Sequence, residues 1–227
     1  MTYMQFSVLN QNYKNSIMLW LITLTIMVFL IIIIGGLTRL TDSGLSMVDW
    51  QPILGTIPPL NNNQWMDVFN DYKLTPEFLY VNKNMTLDEF KYIFWWEWFH
   101  RFFARLIGIV FIIPFIYFLI KKNLNSFFYK RFSIIFSLGL LQALVGWWMV
   151  KSGLSDDPFV SPYRLTFHLT NAVIIYALLL WTSVEYFHLK STNFISFRSK
   201  NILILISIIL VFVTILSGGF MAGSHAG

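Results

Sequence analysis

Two histidines lie at matched positions in this sequence. His100 and His168 each come about five or six residues after the start of an apolar stretch long enough to cross a membrane. A lone histidine in a membrane helix is usually a hydrogen-bonded core residue. Two at one depth on alternate helices suit a metal-centred ring, with one imidazole on each side of it. The spacing therefore predicts a haem whose iron is held by His100 and His168.

Four arginines lie near the same ends of the apolar stretches as the histidines. They are Arg39, Arg101, Arg105 and Arg164. Burying a guanidinium group in a membrane costs several kcal/mol, so these side chains need partners. Arg164 is one helical turn from His168, and Arg101 and Arg105 flank His100, so we expect them to bind the propionates of a haem. The alternative is that they snorkel to water and pair with protein carboxylates.

Glu97 is the candidate catalytic residue. It lies three residues before His100 and shares a helical face with it. Near a haem, its carboxylate could accept a proton, hydrogen-bond the histidine or form part of the substrate site. The alternative is an ion pair with Arg101, which follows four residues later. Spacing alone leaves both interpretations open.

The composition is that of a membrane protein. Hydrophobic residues make up 56% of the 227 residues and charged residues 12%, against about 25% charged residues in soluble domains. The net charge of +5 is explained by basic cytoplasmic loops and does not indicate nucleic-acid binding. The sequence has no cysteine, which excludes disulfides, thiolate metal sites and cysteine nucleophiles.

Five apolar segments approach the roughly 20 residues that a bilayer-spanning helix needs. They cover residues 16–38, 94–120, 132–150, 163–184 and 201–220. Basic residues concentrate in the links after the second and fourth segments, which the positive-inside rule assigns to the cytoplasm. We predict an all-α, polytopic membrane helix bundle with a cytoplasmic N-terminus. The expected location is a bacterial inner (cytoplasmic) membrane, or the mitochondrial inner membrane in a eukaryote.

The long outer loop, residues 39–93, is predicted to contain helices of its own. Trp65, Phe69 and Tyr72 recur at helical spacing, which is typical of an amphipathic helix on a membrane surface. Thr86 and Glu89 have the spacing of a capping box. A helix that begins there would continue into the second membrane segment.

A weak internal repeat divides the chain. The pair Gly35-Gly36 ends the first segment and the pair Gly218-Gly219 ends the fifth, 183 residues later. We interpret residues 1–190 as a four-helix haem-binding bundle. Residues 191–227 are then the first helix of a second pseudo-repeat that is incomplete, so we expect the chain to be a fragment or a truncated reading frame.

Several stretches resemble the haem A synthase family in its mitochondrial and alphaproteobacterial form. They are "GGLTRLTDSGLSMVDWQPILGTIPPL", "PEF", "LDEFKYIFWWEWFHR", "GWWMVKSGL" and "SPYRLTFHL". A later stretch, "GGFMAGSHAG", is similar to the start of the family's second half. The resemblance covers essentially the whole chain.

The resemblance implies an eight-helix protein of two similar four-helix bundles. The N-terminal bundle holds haem O as substrate through a histidine pair that matches His100 and His168, and Glu97 matches the family's functional glutamate. The reaction oxidises a methyl group of haem O to a formyl group, which gives haem A for cytochrome c oxidase. The C-terminal bundle holds a haem b cofactor, whose histidine ligands are absent from this sequence.

The implied partners are haem O synthase, an electron donor and the lipid bilayer, with a homo-oligomer also compatible. Two other functions fit part of the pattern. A bis-histidine b-type cytochrome that transfers electrons would use the same histidine pair. A small-solute transporter would use the arginines to recruit an anion, but it leaves the matched histidines unexplained.

Overall fold

The computed structural model describes residues 11–49, 54–124, 126–155, 157–188 and 202–224. Within these ranges the chain forms seven α-helices and a short 3-10 turn at Leu54–Thr56, without a strand. The helices are α1 (Gln11–Leu40), α2 (Asn62–Tyr72), α3 (Pro76–Tyr80), α4 (Leu87–Ile120), α5 (Ser126–Gly153), α6 (Pro162–His188) and α7 (Ile202–Gly223). One of the two basic links that indicated the orientation, residues 189–201, lies outside the described part.

Five of these helices are long and apolar enough to cross a membrane: α1, α4, α5, α6 and α7. This confirms the prediction of an all-α, polytopic membrane bundle. Three of the five helices, α1, α5 and α6, extend beyond both ends of their predicted segments. The largest difference is at the start of α4, which begins at Leu87 rather than at residue 94. Helix α5 begins at Ser126 rather than at residue 132, and its first turns carry Lys130 and Arg131.

The start of α4 is fixed by its cap. The Thr86 hydroxyl accepts a hydrogen bond from the Glu89 backbone N–H, and the Glu89 carboxylate accepts one from the Thr86 backbone N–H at 2.7 Å. The predicted capping box is therefore present, and α4 runs without interruption into the membrane segment. The outer loop consequently ends at Thr86 and not at residue 93.

The four helices α1, α4, α5 and α6 form a bundle with one loosely packed edge. Helix α1 packs against α4 and α6, and α6 packs in turn against α5. Helices α4 and α5 approach each other much less closely. Because α1 and α6 form the tight side of the bundle, α4 and α6 are placed to present side chains to one another across its interior.

The half of the bundle near the predicted cytoplasmic side is solid. Its buried residues come from the beginnings of α1 and α5 and from the ends of α4 and α6. We call the rings at its centre the aromatic core: Trp20, Phe111, Phe115, Phe118, Phe128 and Phe132. The Trp20 and Phe132 rings lie 5.0 Å apart between centroids, and the Trp20 indole N–H donates to the Val110 carbonyl at 2.8 Å. This packing fills the interior on that side.

Described residues between α1 and α4 form an outer cap over the other end of the bundle. Helix α2 is amphipathic as predicted, and Trp65, Phe69 and Tyr72 are all buried. They pack against Phe90 and Phe94 in the first turns of α4, with the Phe69 and Phe90 rings 5.0 Å apart between centroids. The apolar face of α2 therefore contacts protein and not a membrane surface, because α4 extends far enough to cover it.

Helix α7 packs closely on α6 through glycines. A Cβ atom at Gly219 would lie 2.9 Å from the Thr166 hydroxyl oxygen, and one at Gly223 would lie 2.5 Å from the Pro162 Cα. Spacing of this kind lets two membrane helices approach with little separation. The rest of α7 is largely exposed. The division of the chain into a four-helix unit and a second unit stays a prediction.

Candidate functional site

The predicted histidines lie in the half of the bundle above the aromatic core. His100 projects from α4 and His168 from α6, and both side chains are partly buried. The structure thus brings both candidate ligands into one layer of the bundle.

Glycines make room for each imidazole. A Cβ atom at Gly35 on α1 would lie 3.3 Å from Nε2 of His100. A Cβ atom at Gly146 on α5 would lie 3.0 Å from Cε1 of His168. Both distances are tighter than ordinary contacts, so any larger residue would move the ring. Gly146 was missed from the sequence, although a glycine inside an apolar helix signals a close approach.

His168 is held by a side-chain network between α5 and α6. The Gln142 amide nitrogen lies 3.1 Å from His168 Nε2 and donates to the His168 carbonyl at 3.1 Å. The Gln142 amide oxygen accepts from Asn171 Nδ2 at 2.7 Å, and the same nitrogen donates to the Leu138 carbonyl at 3.1 Å. Sequence reasoning did not find Gln142 or Asn171, although both are polar residues in apolar helices.

Glu97 is buried, with 2% of its surface exposed, where the chain after α1 crosses α4. Its carboxylate accepts hydrogen bonds from the Ser46 hydroxyl at 2.7 Å and from the Met47 backbone N–H at 2.8 Å. It also forms an ion pair with Arg101, the alternative that spacing had left open. Arg101 in turn donates to the Met47 carbonyl at 3.1 Å. Glu97 therefore joins α4 to the outer cap beside His100.

The four candidate arginines have different surroundings. Arg39 hydrogen-bonds the Ala222 carbonyl of α7 and pairs with Asp42. Arg164 donates to the Trp148 carbonyl at 2.8 Å and lies 4.2 Å from the centroid of the Trp148 ring. Arg105 reaches the Gly55 carbonyl at 3.5 Å. These three arginines therefore already link elements of the fold.

Among the described residues, three of the five buried side-chain polar atoms without a partner lie on or near the histidine-bearing turns. They are Nη1 of Arg101, Nδ1 of His168 and Nε1 of Trp98. A buried donor without an acceptor is costly, so such atoms indicate a missing ligand. Unpartnered donors, two imidazoles and glycine-lined spaces fit a flat, anionic, metal-centred ligand. In the described part of the chain, no group of three or more His, Asp or Glu residues could hold a metal ion.

The outer cap contains a second buried carboxyl group, at Glu77, which the sequence did not indicate. Its carboxylate accepts a hydrogen bond from the Tyr72 hydroxyl at 2.9 Å, and Asn82 donates to that hydroxyl at 2.8 Å. Burial raises the pKa of Glu77 to about 8, helped by the nearby Glu97 and Asp42 and opposed by the Tyr72 hydrogen bond and Arg39. Burial and the neighbouring Glu77 raise the pKa of Tyr72 above its ordinary range. Both groups are therefore held in their neutral forms near neutral pH.

Comparison with known proteins identifies relatives along nearly all of the chain. A family model described as cytochrome oxidase assembly protein matches residues 18–227. A protein of Nitrosospira multiformis named heme A synthase is 47% identical over 94% of this chain and 61% of its own length. Proteins of the same name from Parvibaculum lavamentivorans and Flavobacterium psychrophilum are 42% and 45% identical over 94% of this chain, and over 61% and 63% of their own lengths. The chain thus spans less than two thirds of these relatives, and no solved structure matches it.

Proposed function

This chain belongs to the cytochrome oxidase assembly protein family, and we propose that it binds haem O between α4 and α6 for oxidation to haem A. The observation that carries the proposal is the pair of imidazoles in a glycine-lined layer between two membrane helices. The names of the relatives supply the reaction. They give no support to an electron-carrying b-type cytochrome.

In this proposal His100 and His168 hold the iron of haem O from opposite faces. Gly35 and Gly146 leave the space in which the rings turn toward the iron. The aromatic core lies below this layer, and the outer cap covers it from above. In the proposed complex, the cap would limit the access of solvent to the porphyrin and so limit side reactions.

Arg101 is the best placed of the arginines to bind a haem propionate. Its Nη1 is buried and has no hydrogen-bond partner, while its Nη2 is committed to Glu97 and Met47. A carboxylate at Nη1 would satisfy this donor and fix the rotation of the porphyrin about the iron. Arg39, Arg105 and Arg164 would contribute by holding the surrounding elements and by their positive charge.

Glu97 is proposed to assist proton transfer or charge stabilisation while the methyl group is oxidised. Conversion of a methyl group to a formyl group removes electrons from the carbon and adds one oxygen atom. It therefore requires a redox partner, an electron donor in the hydroxylase-type reaction that we propose. Haem O synthase is the expected supplier of the substrate. We assign none of the described residues to the haem b that the resemblance implies.

Pigment extraction tests the binding and the reaction together. The chain would be expressed in bacterial cells that make haem O. We expect it to insert in the inner membrane with its N-terminus in the cytoplasm. We expect the wild-type protein to carry haem O or its oxidised products. His100→Ala and His168→Ala should each lose the bis-histidine Soret spectrum. A wild-type protein that carries no haem, or that carries unmodified haem b alone, would contradict the proposal.

The same extraction tests Glu97 in a version of the protein that also carries the relatives' C-terminal portion. Glu97→Gln should retain haem O and form little haem A. Asp67→Asn, an acid-to-amide change at an exposed position of α2, serves as the control. Normal conversion by Glu97→Gln would exclude a chemical role for this carboxylate.

A further inference from the structure

The orientation of the Gln142 amide is fixed independently of His168's protonation. At one end of the network, the Leu138 carbonyl can only accept, so the atom bonded to it is the Asn171 amide nitrogen. That nitrogen also donates to Gln142, which identifies the facing Gln142 atom as the oxygen. At the other end, the His168 carbonyl can only accept from the Gln142 nitrogen. Exchanging the oxygen and nitrogen of Gln142 would create two repulsive contacts.

This orientation determines the tautomer of His168. The Gln142 nitrogen, a donor only, faces His168 Nε2 at 3.1 Å, so Nε2 must accept and carries the lone pair of a neutral imidazole. The proton then lies on Nδ1, which is buried and has no partner. A neutral imidazole has one nitrogen lone pair in the ring plane, and an iron ion needs that same lone pair. The hydrogen bond from Gln142 and an iron bond at Nε2 therefore exclude each other.

We propose that Gln142 is a displaceable cap on His168, a side chain that occupies the ligating nitrogen until haem iron replaces it. This inference rests on the proposed function, because it concerns the same haem. When the iron binds, Gln142 withdraws from Nε2 and keeps its bonds to the His168 carbonyl and to Asn171. The cap is a positioning device and does not take part in the chemistry of the methyl group.

A cap of this kind suits a substrate better than a resident cofactor. Haem O must enter the site, react and leave as haem A, so its bond to His168 has to be reversible. Competition from the Gln142 amide weakens that bond without removing the ligand. The surroundings of His100 differ, because its Nε2 faces the backbone of Gly35, which has no side chain. The two axial bonds are therefore expected to be unequal, with His168 the more easily exchanged ligand.

Haem titration of the purified full chain tests the cap. Iron protoporphyrin IX is the added ligand, and the Soret band gives the Kd. Gln142→Leu removes the amide at similar volume and should lower the Kd roughly three- to tenfold, the range expected for one net hydrogen bond. Ser137→Ala on the same helix is the control, because that hydroxyl bonds only its own helix at Ser133 and is exposed. A Kd that is unchanged or higher in Gln142→Leu contradicts the cap.

A second measurement needs no variant that perturbs the network. Nitrogen-15 NMR of histidine-labelled wild-type protein without haem should show His168 with its proton on Nδ1 and a hydrogen-bonded lone pair on Nε2. A proton on Nε2 would overturn the inference even if Gln142→Leu fails to fold. A wild-type protein that gives no Soret band contradicts the proposed function and the cap together. Haem binding that is indifferent to Gln142 contradicts the cap alone.

Discussion

Gly146 shows that the site depends on a position that has no side chain. The His168 ring rests where a side chain of α5 would otherwise project, with only 3.0 Å between Cε1 and the position of a Cβ atom. Helix interiors normally disfavour glycine by about 1 kcal/mol relative to alanine. Keeping glycine here lowers the stability of the helix and leaves the imidazole free to reorient toward an iron ion.

Gly146→Ala should therefore separate helix stability from haem binding. We expect it to displace the His168 ring and weaken haem binding at least several-fold, while the helix itself gains propensity. Gly139→Ala on the same helix is the matched control, because a Cβ atom there meets nothing within 4 Å. Soret titrations of both variants make the comparison. Equal haem affinity in the two would show that the space beside His168 is not needed.

Residue types indicated the histidines, the arginines and Glu97, but not their surroundings. His100 and His168 stand out because charged or polar groups are rare in membrane segments and depth can be counted along a helix. Counting residues does not give the rotation of one helix relative to another, which decides which side chains face each other. Gln142, Asn171 and Gly146 became meaningful only when α5 and α6 were seen to face each other. Polarity alone could have marked Gln142 as a candidate.

At the scale of elements, the outer cap depends on a buried neutral acid. Glu77 on α3 is 6% exposed and joins α2 through the Tyr72 hydroxyl. Its pKa rises from 4.5 to about 8 on burial, so the folded cap binds this proton more tightly than the unfolded chain does. Stability from this group is therefore complete at low pH and is lost as the pH rises toward about 8.

The stability of α2 and α3 should fall between about pH 4.5 and pH 8, by at most about 1.4 kcal/mol per pH unit. Hydrogen exchange of their amides, corrected for the intrinsic effect of pH, measures this slope. Glu77→Gln keeps a neutral group of similar size and should flatten it. Asp67→Asn, which is exposed on α2, should leave it unchanged. A slope that persists in Glu77→Gln would assign the pH dependence to another group.

Local patterns predicted the elements better than their contacts. The capping box fixed the beginning of α4, and the aromatic spacing fixed α2, because both signals lie within a few residues. The partner of the apolar face of α2 was not predictable in the same way. Helix α4 covers that face because α4 begins before the membrane segment. The contact therefore depends on two elements together and not on a local pattern.

The whole bundle has one densely packed half and one half in which we propose that haem binds. The aromatic core fills the space on one side, whereas glycines, histidines and amides line the other. The sequence predicted five helices but not this separation, since large aromatic residues occur along most of the chain. Stability and haem binding should accordingly respond to different substitutions.

Phe132→Ala tests this separation. Phe132 is fully buried in the aromatic core, so its removal should lower the free energy of unfolding by about 3 kcal/mol or more. Haem affinity and the Soret maximum should stay near their wild-type values at temperatures where the protein is folded. Ile134→Ala on the same helix, which is 55% exposed, should change neither property by much. A shifted Soret maximum in Phe132→Ala would indicate that the two halves are coupled.

In the proposed complex, the solid aromatic core would also limit how deep a porphyrin can lie in the bundle. A flat molecule between α4 and α6 can slide along the bundle only until it meets the rings of Phe111 and Trp20, which cannot part without unpacking the fold. His100 and His168 would then hold the iron at a depth that this packing permits. A larger or smaller side chain in place of Phe111 or Trp20 would change the depth open to the porphyrin, and with it the porphyrin edge that lies beside Glu97.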